Sequence, residues 1–167
     1  MRFKLLGAAL VGALATWFVF AAVGGATNKT PATSSAVKTF HLIEVSQSFH
    51  VVDNPPLGGP NKPPSQGDAF VFVSKLVTKS GKPAGMLYAS CTAVTGGKDS
   101  ANQCLGNFSL AGGELIASAV VRGDDNGPTN IAIIGGTKAY AGMRGSVVSV
   151  PLDKNNNRSA DTFTLYR

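Results

Sequence analysis

From Phe40 onward the chain is heavily punctuated. Short β-prone runs alternate with clusters of Gly, Pro, Asn and Asp, and no stretch keeps a helical apolar period. That pattern restricts the chain to short strands and turns. The spacing predicts eight strands, at about 40–52, 68–78, 83–95, 104–111, 114–122, 130–135, 145–150 and 159–166. Ser80-Gly81 suits a hairpin turn, Gly112-Gly113 a second, and Gly123 to Pro128 a longer one. The connection from Asp53 to Gly67 holds five prolines, which forbid a central strand there. The expected class is all-β, an eight-stranded antiparallel closed barrel built from sequential hairpins. Closure removes the edges that an open sheet must protect. A β-sandwich satisfies the same strand count and stays open at this point.

The N-terminus starts Met1-Arg-Phe-Lys4 and then runs apolar from Leu5 to Val23, interrupted by Thr16. Small residues follow as far as Ala26. A basic start, an apolar middle and a small-residue end form a secretory signal peptide over residues 1–26. The alternative is an uncleaved anchor over residues 5–23, long enough to span a bilayer. Residues 27–39 are rich in Thr, Ser, Ala and Pro and read as a flexible linker. Residues 40–167 are the size of one ordinary domain. The expected location is secreted or extracytoplasmic, with a membrane partner only if the N-terminal segment is retained.

The formal charge is +6. The basic residues are scattered, without a cluster interleaved with aromatics, so no nucleic-acid partner is expected. His41 and His50, the two histidines, lack acidic or cysteine partners at metal-ligand spacing. No metal and no other cofactor is expected. The two cysteines, Cys91 and Cys104, favour a disulfide in an exported chain. Homo-oligomer formation stays open.

The segment Ile131-Ala-Ile-Ile-Gly-Gly-Thr-Lys-Ala-Tyr-Ala-Gly-Met-Arg-Gly145 reads as strand, glycine-rich corner and strand. Its Gly-Gly-Thr-x-x-Tyr-x-Gly-x-Arg-Gly order resembles the signature of the allene oxide cyclase and dirigent barrel superfamily. Gly67-Asp68 through Leu76, Gly81 through Gly85 and Ala89-Ser-Cys91 resemble the second and third strands of allene oxide cyclases. Cys104 through Ile116 resembles the fourth and fifth strands of bacterial members. The resemblance covers most of 67–150 and implies a barrel around an apolar cavity with a few fixed polar groups. It also implies a small apolar molecule as partner, bound and steered through cyclisation or isomerisation. A non-catalytic secreted binding or interaction barrel is the alternative.

The first strand offers a candidate site. Alternation puts Phe40, Leu42, Glu44, Ser46, Ser48 and His50 on one face, and His41, Ile43, Val45, Gln47, Phe49 and Val51 on the other. Either face can point inward, since both are similarly apolar. With the first inward, Glu44 enters an apolar lumen and burial raises its pKa. The resemblance places the cyclase glutamate at Glu44, with Ser46 and Ser74 where cyclases carry asparagines. These three are the candidate catalytic residues. Phe72, Cys91 and Tyr140 are the candidate ligand-binding residues. Cys91 has two readings, cavity wall or bridge to Cys104. Tyr140 also has two, cavity mouth or packed structural corner.

Overall fold

The computed structural model describes residues 38–55, 62–123, 127–155 and 157–167. The signal-peptide expectation for residues 1–26 and most of the linker expectation fall outside them. Eight antiparallel strands follow in order: β1 (Lys38–Val52), β2 (Ala69–Val77), β3 (Pro83–Ala93), β4 (Ala101–Leu110), β5 (Gly113–Arg122), β6 (Thr129–Gly136), β7 (Arg144–Pro151) and β8 (Arg158–Tyr166). Each pairs with its successor, and β8 returns to β1, closing the barrel. Closure rules out the sandwich.

The period-two alternation sets the interior. On β8, Asp161, Phe163 and Leu165 point in, and on β1, Phe40, Leu42 and Glu44 lie opposite on the same face. One end of the barrel is packed solid. Phe163 stacks on Phe40 with ring centroids 4.5 Å apart and meets Phe108 edge-on at 5.0 Å. Leu76, Leu115, Val147 and Leu165 fill the space around them and are fully buried. Each such side chain contributes about 1.5–3 kcal/mol of burial energy.

The glycine corner caps this packed end. A single 3-10 turn over Lys138–Tyr140 lays Tyr140 into the core. Gly136 makes room for it: a Cβ there would lie 2.7 Å from both Tyr140 Cβ and the Tyr140 carbonyl oxygen. Tyr140 is therefore the packed structural corner, and it does not line the cavity described below.

A β-bulge changes the first strand. Ser46 pairs with Ser74, yet Ser48 pairs with Val73, so Gln47 is an extra residue. An extra residue reverses which side chains face in. Beyond it, Phe49 pairs with Phe72 and turns to the lumen. Uninterrupted alternation along the sequence puts Phe49 on the face away from Glu44, and Ser48 and His50 on the Glu44 face. The bulge corrects both assignments.

Candidate functional site

The other end of the barrel is open and holds a cavity of about 780 Å³. Its walls come from the inward faces of β2 to β6. Phe70 and Phe72 stand on β2, Leu87, Ala89 and Cys91 on β3, and Phe108 on β4; Ala117 and Ala119 on β5 and Ile131 on β6 complete the wall. Small residues opposite large ones leave the space, and the surface is overwhelmingly apolar. Phe49 stands at the mouth, stacked on Phe70 at 6.0 Å and still 59% exposed.

The rim is fixed by hydrogen bonds. Asp68 accepts from the Asn54 and Ser65 backbone N–H groups at 2.9 and 2.7 Å and from the Ser65 hydroxyl at 3.0 Å. Those backbone donors hold its carboxyl below the usual aspartate range. The network pins the Pro-rich connection so that Pro63 and Pro64 form part of the mouth. Gly97 N–H donates to the Pro64 carbonyl at 2.9 Å, tying the β3–β4 loop to the same rim. Lys98, Asp99 and Ser100 of that loop complete it.

Beside the cavity, a row of polar side chains crosses strands that are otherwise apolar inside. Thr129 on β6 pairs with Ser149 on β7, and Ser149 pairs with Asp161 on β8. Asp161 is opposite Leu42, and Glu44 is opposite Ser159, so the two carboxyls are diagonal neighbours across β1 and β8. The Ser74 hydroxyl on β2 hydrogen-bonds Glu44. Thr129 lines the cavity, as does Phe72, the inward residue next to Ser74. Glu44 and Asp161 do not themselves line it.

The electrostatics of the row are unusual. Burial raises the Glu44 pKa, and the Ser74 hydrogen bond draws it partly back. Burial, with the nearby Glu44 charge, pushes Asp161 up to about 7. The Ser149 hydroxyl tempers that shift but falls outside hydrogen-bond geometry, since both Asp161 carboxyl oxygens are buried without a partner. Two carboxyls this close cannot easily ionise together, so their titrations are coupled. Asp161 therefore keeps its proton to far higher pH than an ordinary aspartate, up to about 7.

The structure thus brings Glu44 and Ser74 together and leaves Ser46 apart. Ser46 shares a rung with Ser74, but its side chain is exposed and its backbone N–H donates to the Asn157 carbonyl at 2.9 Å. Phe72 lines the cavity. Cys91 satisfies both of its readings: it lines the cavity and is bridged to Cys104, directly opposite on β4, with a Cα separation of 4.0 Å. Sequence reasoning missed Asp161, Ser149 and Asn102. For Asp161 the signal was present, as a lone acid on the apolar alternation of β8. Among the described residues no cluster of metal-ligating side chains occurs and no helix is long and apolar enough to cross a membrane. The disulfide fits an extracytoplasmic protein.

No protein-family profile matches the chain, and no curated protein matches it in sequence. Solved structures do match. A pyocyanin demethylase superposes with a TM-score of 0.63 at 22% identity, covering 77% of this chain and 99% of that one. A pterocarpan synthase dirigent protein gives 0.60 at 15% identity over 78% and 90% of the two chains. An exo-specific intermolecular Diels-Alderase gives 0.60 at 13% identity over 78% and 98%. Order of strands, closure and these superpositions agree, and the chain has the dirigent-like, allene oxide cyclase-like barrel fold.

Proposed function

We propose that this protein is an exported barrel that binds a small apolar molecule in its open end and steers that molecule's cyclisation or isomerisation. The observation that carries this reading is the apolar, aromatic-walled cavity of about 780 Å³. Such a cavity suits a drug-sized molecule. Confinement of one reactive conformer supplies rate without any cofactor chemistry. The similar structures named for a dirigent protein and a Diels-Alderase support the steering role. In this reading the Glu44–Asp161 pair, with Ser74 beside Glu44, polarises the cavity from behind its wall without touching the bound molecule.

The second reading is a binding barrel without chemistry. It is favoured by one observation: neither carboxyl lines the cavity. Two measurements separate the readings. An apolar fluorophore titrated into the protein is expected to gain emission, and Ala119→Trp, which fills the wall opposite Cys104, is expected to abolish that gain. No binding to the parent protein overturns both readings. Binding together with no turnover of any candidate polyene or phenolic substrate leaves the second.

A further inference from the structure

We propose that the packed end of the barrel is a docking face for an anionic lipid surface, with the open end turned to solution. The proposal goes beyond the small-molecule reading and does not depend on it. Antiparallel order puts the start of β1, the β2–β3 and β4–β5 turns, the glycine corner and the end of β8 at this end. Its exposed basic residues are Lys38, Lys79, Lys82, Lys138, Arg144 and Arg167. Glu114, on the outer wall nearby, shares a rung with Lys75 through Met86 and Ser109, so those two charges offset each other. At the open end Asp53, Asp68, Asp99 and Asp153 offset the basic residues of the loops. The positive charge of the barrel is therefore concentrated at one end.

The face also has features that suit phospholipid headgroups. Arg144 and Tyr166 are rung partners, and with Gly142 and Arg167 they border a depression of about 340 Å³. Guanidinium forks match phosphate oxygens, and tyrosine is at home where headgroups meet water. Lys38 Nζ lies 5.2 Å from the Phe40 ring centroid and 5.4 Å from that of Tyr140, which keeps its charge against the packed end.

The covalent route favours lipid over other polyanions. The apolar run Leu5–Val23 is long enough to span a bilayer, and residues 24–37 alone join it to Lys38. Even fully stretched, a segment of that length covers no more than about 50 Å. While the run is in the bilayer, the closed end is the part of the barrel tethered to the lipid, and each basic residue near an anionic surface adds attraction.

Sedimentation of the exported protein with vesicles tests this. One set holds phosphatidylglycerol and phosphatidylcholine in about equal parts, the other phosphatidylcholine alone. The readout is the bound fraction that about 0.5 M NaCl releases, to which an inserted apolar segment does not contribute. That fraction is expected on the anionic vesicles and not on the neutral ones. Lys79→Gln with Lys82→Gln is expected to weaken it about thirtyfold, the scale of two basic residues near an anionic surface. Arg144→Gln with Arg167→Gln is expected to do the same, so the test does not hang on one variant folding. Arg122→Gln with Lys154→Gln, at the open end, is expected to change it by less than about threefold. Equal salt-releasable binding to both vesicles, or none to the anionic set, overturns the proposal. So does an open-end pair that weakens binding as much as a closed-end pair. Displacement from the anionic vesicles by duplex DNA at equal phosphate overturns lipid as the partner.

Discussion

Asp161 and Glu44 face the same interior from neighbouring strands, one ladder step apart, and the Glu44 charge helps keep the proton on Asp161 up to about 7. In the unfolded chain Asp161 titrates near 3.8. Between those values the folded state binds the extra proton, so stability falls as pH rises from about 4 through about 7 and then levels. Glu44, also raised, acts in the same direction. Asp68, lowered, acts oppositely, its contribution being lost as pH falls through and below its unfolded value of 3.8. Urea unfolding is expected to show about 1–3 kcal/mol less stability at pH 8 than at pH 5. Asp161→Asn is expected to flatten that slope and to exceed the parent at pH 8. A flat profile in the parent contradicts the coupled pair.

Glu44→Gln keeps the shape of the side chain and removes its charge. The fold is expected to survive. Asp161 loses the charge that raises it, so the stability fall shifts to lower pH than in the parent. That shift distinguishes a coupled pair from two independent buried acids. In a turnover assay, loss of the Glu44 charge from behind the cavity wall is expected to lower the rate, whereas an unchanged rate leaves the pair without a part in the chemistry.

The glycine pair in the signature corner is expected to respond asymmetrically. A Cβ at Gly135 meets nothing within 4 Å, whereas one at Gly136 would clash with Tyr140 and lie 2.8 Å from the Glu114 carbonyl oxygen. Gly136→Ala is expected to destabilise by about 1–3 kcal/mol or more through overpacking. Gly135→Ala is expected to stay within about 0.5 kcal/mol. Equal effects in thermal melts would contradict the packing of the corner.

Phe49 reaches the cavity mouth only because of the bulge at Gln47. Phe49→Ala is expected to weaken apolar probe binding several-fold. The side chain is mostly exposed, so stability should change by less than about 1 kcal/mol. Deleting Gln47, which restores the simple alternation, is expected to weaken probe binding as well.

The Cys91–Cys104 bridge spans 13 positions in the sequence. Its removal in a double alanine variant is expected to cost about 3 kcal/mol, the scale for a loop of this length. Both residues line the cavity, so probe affinity is expected to change too. Denaturant midpoints and dialysis on the same samples check both effects.

The fold was largely legible in the sequence because it is written in local terms. Strand lengths follow from β-prone runs and turns from glycine, proline and asparagine clusters, and the eight expected strands lie within a few residues of those observed. The pairing of Cys91 with Cys104 was legible for a similar reason, since they stand on consecutive strands. What the residues could not decide locally was which face of β1 points inward. Both faces are apolar, and the answer depends on β8 and β2, whose partners Asp161, Phe163 and Ser74 face the lumen. The Gln47 bulge was equally hidden, because an extra residue shows only against the strand it pairs with. The diagonal contact of Glu44 with Asp161 joins the first strand to the last and exists only once the barrel closes. The orphaned Asn102 oxygen likewise arises from the way Ser100 and Val121 surround its amide. Local propensity determined the strands of this protein, whereas long-range closure decided which polar groups were buried together and left short of partners.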